Sequence, residues 1–271
     1  MPLRLLACVA PIALAACSSP EEVREQTGVS APVAGATARA TASAMAGAGR
    51  AQKVEEDNDL YSYEFSYPAE VGAHPKLAAL LEARAAKAKA EMIAQARQGQ
   101  VDAKENGYPF NPHSYGAEWK KVADLRGYLS LSNEFYTFSG GAHGMYGVEG
   151  FVWDKANGRG MASEELFVSP AQLGTALGDR LCAALNKERE KRRGQPVSES
   201  DDVFGDCPSL DEATILVGSS NRTTFDRITV YFGPYVAGSY AEGAYELDFP
   251  LTQAMLGAVK PAYKAAFSSH K

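Results

Sequence analysis

Hydrophobic and polar positions alternate with two different periods from Asp57 onward. Tyr61–Tyr67, YSYEFSY, puts Tyr61, Tyr63, Phe65 and Tyr67 on one face and Ser62, Glu64 and Ser66 on the other. A period of two predicts a half-buried strand, closed by Pro68. Pro75 suits a first helical turn, with His74 near the cap. Leu77, Leu80, Leu81, Ala85, Ala88 and Met92 then recur at helical spacing to about Gln98, with Lys76, Arg84, Lys87 and Lys89 on the solvated side. Gly99–Ser114 carries two prolines and predicts a loop. Strands are expected at Glu118–Leu125, Tyr128–Phe138 and Tyr146–Asp154, and Asn157-Gly158 marks a turn after the third.

The second half repeats this alternation. Ser163–Phe167, SEELF, predicts a short helical start whose carboxylates suit a first turn better than an acid/base pair. Leu173, Leu177, Leu181, Ala184 and Leu185 predict one helix from Pro170 to Arg193. Strands are expected at Ala213–Val217, Arg227–Phe232 and Tyr245–Phe249. A final helix is expected from Leu251 to about Phe267, with Met255, Val259, Tyr263 and Phe267 in one stripe. Grouped strands with a long helix in each half predict an α+β fold of antiparallel strands ending in a C-terminal helix. Two half-domains, 57–160 and 161–271, are each small for a self-sufficient core, so they are expected to pack as one unit.

The N-terminus reads differently. Residues 1–16 form an apolar run after Arg4, too short to span a bilayer, which predicts a signal peptide. Leu14-Ala15-Ala16-Cys17 resembles the bacterial lipobox, so cleavage before Cys17 and its acylation are expected; the alternative is an ordinary secretory signal with an incidental cysteine. Ser18, not Asp, follows, which points to the outer membrane facing the periplasm, with acyl chains as the anchor. Residues 17–56 predict a flexible tether: Ser30–Ala51 holds 10 alanines in 22 residues and almost no large apolar side chain. About 40 such residues reach roughly 35 Å.

The formal net charge is −6, and removing Arg4 with the signal would make it −7. A mildly acidic exported chain is a poor partner for nucleic acid. Cys182 and Cys207 remain after the signal. In an oxidising compartment the simplest reading is a disulfide, worth roughly 3.5 kcal/mol from loop closure. Free thiols or a metal pair are the alternative, weakened by the lack of CxxC spacing.

Catalytic templates fail. There is no HExxH, GxSxG or Walker loop. Glu199, Asp201, Asp202 and Asp206 miss the EF-hand pattern, and the histidines His74, His113, His143 and His270 show no ligand spacing. No metal and no cofactor are expected. The segment Phe135–Gly147, FYTFSGGAHGMYG, is the one place that invites chemistry. His143 beside Ser139 lacks a nearby orienting carboxylate. The segment is therefore expected to be a bend in which Gly140 and Gly141 take positive φ. On that reading Gly141→Val destabilises strongly, while His143→Ala matters little.

The order of motifs resembles a known family. A strand YSYEFSYP, a helix, FYTFSGGAHGMYGVEGFVWD with a DKANGR turn, SEELF, a helix and ITVYFGPYVAGSYAEGAYELDFP before a last helix are similar to the paired domains of unknown function 4163 and 3298. That pair forms the extracytoplasmic part of RsiV-type lysozyme-sensing anti-sigma factors, and related domains precede some peptidoglycan deacetylases. Sigma-factor release does not carry over, since no sigma-binding segment or membrane span is seen. The resemblance implies a non-catalytic, lipid-anchored domain that binds an envelope ligand, with a lysozyme-type muramidase as the named candidate. Gly99–Ser114 and Gly194–Leu210 would be the loops available to occlude a glycan cleft. Tyr136, Phe138, Gly140, Gly141, His143 and Tyr146 are the candidate ligand-binding residues, the alternative being that the aromatics are core. A peptidoglycan-binding structural module and a hydrolase using His143 are the competing readings.

Overall fold

The computed structural model describes residues 49–197 and 204–270. The expected signal peptide, Cys17 and residues 17–48 of the tether lie outside them, as do Glu199, Asp201 and Asp202. Six strands form one sheet in the order β1 (Gln52–Asp57), β2 (Tyr61–Tyr67), β3 (His113–Asp124), β4 (Tyr128–Phe138), β5 (Met145–Asp154) and β6 (Arg159–Ala162). Three more, β7 (Thr214–Gly218), β8 (Arg227–Phe232) and β9 (Tyr245–Pro250), form a second sheet. The fold is α+β.

β1 corrects the tether's end. Gln52–Asp57 pairs residue for residue with β2, from Gln52↔Tyr67 to Asp57↔Ser62. Its composition hid it because Val54 is its only branched apolar residue. An edge strand takes its order from backbone bonds to a neighbour, and charged residues keep that edge from further pairing. β2 and β3 pair in parallel, unlike the antiparallel pairing expected throughout. A parallel pair needs a crossover. Helix α2 (Pro75–Asn106) supplies it, after a short α1 (Ala69–Gly72).

α2 runs two turns beyond the expected Gln98 and stops at Gly107, where φ is 72°. The expected loop Gly99–Ser114 is thereby reduced to 107–112. A glycine inside a helix is tolerated at a cost near 1 kcal/mol. Gly99 has a second use: a Cβ there would lie 3.3 Å from the His113 ring.

The strand faces serve two cores. Odd-numbered residues of β2–β5, including Phe65, Trp119, Leu131 and Phe151, pack against Leu77, Leu81 and Ala85 of α2. Ala123, Leu125 and Val152 instead join the C-terminal residues Leu181, Ile215, Val230 and Tyr245. The two halves thus share a core, as expected of units too small to stand alone. Gly150 lets the halves meet closely, because a Cβ there would sit 2.3 Å from the Ile215 carbonyl oxygen.

Two helix expectations are corrected. The expected helix 170–193 breaks at Gly178, φ 58°, into α3 (Pro170–Leu177) and α4 (Asp179–Arg193). The C-terminal helix is only α5 (Gln253–Gly257), followed by a 3-10 turn at Pro261–Ala266. Pro261 cannot donate to a continuing helix and clashes with the preceding turn. Met255, Val259 and Phe267 are still buried, delivered by a different backbone path. Cys182 and Cys207 are joined, with Cα atoms 5.6 Å apart.

Candidate functional site

The even-numbered face of β2–β5 is covered by the second sheet at one end only. The uncovered part is a groove of about 590 Å³, lined by Glu64, Glu118, Glu134, Tyr136, Tyr146 and Lys53, with Tyr231 and Glu246 from the second sheet. Glu118 and Glu134 are directly opposed across β3 and β4. Such like charges repel unless bridged. Lys120 bridges them, at 3.1 Å from Glu118 and 2.6 Å from Glu134. Lys53 is paired with Glu55 at 2.5 Å. Glu64 and Glu246 have no ion pair to any described residue, so the groove presents net negative charge. Burial pushes the Tyr231 hydroxyl up to about 12, helped by Tyr146 and Glu246, so it stays a neutral donor.

The groove ends at an aromatic rim. Tyr136 and Tyr146 face each other across β4 and β5. Gly144 lets the Tyr136 ring lie on the connecting backbone, since a Cβ there would be 2.3 Å from the Tyr136 hydroxyl oxygen. His143 stacks on Tyr240 with centroids 4.1 Å apart, and Tyr240 meets Tyr146 edge-on at 5.8 Å. The Tyr240 hydroxyl donates to the Gly144 carbonyl at 2.9 Å. His143 Nδ1 lies 2.9 Å from that same carbonyl and Nε2 lies 3.2 Å from the Tyr235 hydroxyl. Tyr235 has φ 68° and is 49% exposed. A tyrosine in the left-handed region is strained, and such strain collects at binding sites.

A buttress behind the rim holds Tyr240. The 3-10 turn Tyr240–Glu242 is closed by Glu242, whose Oε1 accepts from the Ser239 backbone N–H and hydroxyl, both at 3.2 Å. Glu242 Oε2 accepts from Tyr245 at 2.6 Å and from Arg193 Nε at 2.9 Å. Burial alone would raise this carboxyl, but the hydrogen bonds from Tyr245, Arg193 and Ser239 outweigh it and hold Glu242 down to about 2. Arg192 lies 3.9 Å over the Tyr245 ring and donates to the carbonyls of Glu242 and Ala244. The buried Arg189 donates to the carbonyls of Gly205, Asp206 and Ala237. Helix α4 therefore ties the disulfide loop to the rim.

Of the six candidate residues, the fold brings Tyr136, His143 and Tyr146 together. Phe138, Gly140, Gly141 and His143 lie outside the groove lining itself, and His143 reaches the rim through its stack on Tyr240. Only Gly140 takes positive φ, 87°, whereas Gly141 does not and faces open space. Gly140 is held by the Asn111 amide, which donates to its carbonyl at 3.3 Å. Sequence reading missed Tyr235, Tyr240 and the groove carboxylates. Pro234-Tyr235 and Gly238 mark a turn before β9, but nothing local shows that it meets Gly144.

Both His143 ring nitrogens have partners inside the rim, and no hydrogen bond joins His143 to Ser139 among the described residues. No group of three or more His, Cys, Asp or Glu among those residues is placed to hold a metal ion. No described helix is long and apolar enough to cross a membrane.

Comparison with known proteins gives a partial likeness. Residues 54–146, about a third of the chain, match the family model described as Deacetylase PdaC. That segment runs from β1 to the rim strand β5 and overlaps the N-terminal half-domain expected at 57–160. A solved protein of the domain-of-unknown-function family 3298 from Bacteroides fragilis is similar at 16% identity and TM-score 0.47, over 76% of this chain and 91% of its own. A second member of that family, from Pseudomonas aeruginosa, is similar at 16% identity and TM-score 0.44, over 82% and 97%. No curated protein matches the chain.

Proposed function

We propose that this is a non-catalytic binding domain, held at the cell envelope through acylated Cys17, whose acidic groove receives a basic protein partner. A lysozyme-type muramidase is the named candidate. The carrying observation is the pair of unbridged carboxylates, Glu64 and Glu246, in a groove that ends at exposed aromatics. Lining charge steers and selects a partner of opposite sign, and tyrosines with one wet face are common anchors of protein interfaces. A loop thrust into a glycan cleft is the weaker variant, since 107–112 is all that remains of the first candidate loop.

Titration of the full-length chain with c-type lysozyme, following heat of binding and cell-wall lysis together, tests this reading. Saturable binding is expected, weakened at least tenfold in the Glu64→Gln/Glu246→Gln double variant and by added salt. Absence of heat and of any effect on lysis would refute it. Peptidoglycan binding is the second reading, favoured by the Tyr136–Tyr146–Tyr240 rim, whose faces suit sugar rings. It predicts sedimentation with purified sacculi that neither Gln substitution reduces.

A further inference from the structure

The end of the large sheet away from the rim carries the opposite charge. β3 pairs with β2 only as far as Glu118 and runs on to Asp124, so the β3–β4 and β5–β6 turns project beyond β2. Lys155 ties these two turns together. Its backbone N–H donates to the Gly127 carbonyl at 3.0 Å, and its ammonium donates to the Leu125 carbonyl at 2.7 Å. A Cβ on Gly158 would lie 3.6 Å from the Lys76 side chain, which brings the start of α2 onto the second turn. Arg159 Nη2 donates to the Tyr263 hydroxyl at 3.0 Å, which adds the 3-10 turn that follows Lys260 and carries Lys264. The chain also enters here: Gly72 makes room for it, since a Cβ there would sit 2.1 Å from the Arg50 carbonyl oxygen.

One end of the fold thus collects Arg50, Lys76, Arg126, Arg159, Lys260 and Lys264. All but the half-buried Lys260 are exposed, and none of the six has an ion pair to any described residue. The carboxylates nearby are already engaged. Glu70 pairs with Lys121, and Asp124 pairs with Lys155. Asp154 is buried and accepts from the Ala156 and Asn157 backbone and from the Asn157 amide. A chain of net charge −6 therefore presents a basic end.

The place of that end in the chain narrows the partner. Only residues 18–48 separate Gly49 from Cys17, the expected acyl anchor. A surface joined to a bilayer in this way meets it at high effective concentration, so individually weak contacts suffice. Lys and Arg side chains are drawn to anionic headgroups within a Debye length. An acidic protein would feel the same charge, but nothing confines one to this end. We propose that the basic end rests on an anionic phospholipid surface, so that the acidic groove and its aromatic rim, toward the other end of β4 and β5, face away from the bilayer. The lipid contact stands on the charge arrangement whatever the groove receives, and the orientation rests on the acyl anchor of the proposed function.

The test is flotation of the chain from residue 17, carrying Cys17→Ser so that no acyl chain contributes, with two kinds of vesicle. One is phosphatidylcholine alone, and the other is phosphatidylcholine and phosphatidylglycerol in equal parts. Binding to the mixed vesicles at low salt should exceed binding to the neutral ones at least tenfold and should vanish at high salt. Lys76→Glu/Arg126→Glu/Lys264→Glu should abolish the difference with Tm unchanged, because each side chain is exposed and unpaired. The same number of reversals outside this end, Arg97→Glu/Lys104→Glu/Lys187→Glu, should leave most of it. Equal flotation with both vesicles overturns the proposal, as does a folded Lys76/Arg126/Lys264 variant that floats like the parent or no better than the control variant. Binding of the parent chain to polyglutamate but not to mixed vesicles would also overturn it, in favour of an acidic protein. The mass of Cys17-containing peptides from native protein tests the anchor separately.

Discussion

His143 and Tyr240 stack with their ring centroids 4.1 Å apart, although they come from opposite halves of the chain. The contact joins the β4–β5 connection to the turn before β9. Tyr240 also donates to the carbonyl that follows His143, so one side chain fixes both ring and backbone of the opposing loop.

Removing that ring should loosen the rim more than the fold. Tyr240→Ala forfeits an aromatic pair worth about 0.5–1.5 kcal/mol. Thermal melts should show a modest loss, while the heat of binding to a basic protein partner should fall at least tenfold. Tyr240→Phe keeps the stacking and should lose only the hydrogen bond to Gly144, about 1 kcal/mol.

Glu242 gives the rim an acid limit. Its folded-state value of about 2 lies below the ordinary 4.5, so its stabilising contribution is complete above pH 4.5 and disappears as pH falls toward 2. After solvent screening this contributes roughly 1–2 kcal/mol. Denaturant unfolding between pH 7 and 2 should show a steep loss in that window. Glu242→Gln should start lower at pH 7 and lose correspondingly less over the same range.

Helix α4 should depend on its staple. Reducing Cys182–Cys207, or replacing both by serine, should cost about 3 kcal/mol. Amide exchange should rise first at Gly205 and Asp206, whose carbonyls accept from Arg189. Uniform exchange across the whole chain instead would mean that the disulfide acts only on global stability.

Three glycines should rank differently from expectation. Gly141→Val should be nearly neutral, because its φ is ordinary and nothing lies within 4 Å of a new Cβ. Gly140→Val should cost about 1–2 kcal/mol from its positive φ. Gly150→Ala should cost about 1–3 kcal/mol or more, because the methyl meets the Ile215 carbonyl oxygen and Ser163. Chemical denaturation of the three variants orders them.

Much of the fold could be read locally. The alternation in YSYEFSY marked β2 to the residue, since side-chain direction in a strand depends only on position parity. Helix α2 announced itself through Pro75 and its apolar spacing, though its end did not, because Gly99 looked like a stop and is instead a close contact for His113. β1 was illegible for a different reason: a charged edge strand has almost no hydrophobic pattern, and pairing with β2 alone orders it. The C-terminal stripe was correct that Met255, Val259 and Phe267 are buried, with Tyr263 only half-buried, and wrong about helix, because Met255 and Phe267 can reach a core through a turn as well as through a spiral.

The candidate site divides in the same way. Sequence alone picked out Tyr136, His143 and Tyr146, because glycines and aromatics concentrated in one segment mark a crowded bend. It also paired Cys182 with Cys207 by elimination. It could not place Tyr235 and Tyr240 on that bend or bring Glu246 into the same groove as Glu64. Those relations join residues far apart in the chain, and no local propensity encodes them. They follow from how the second sheet seats on the first.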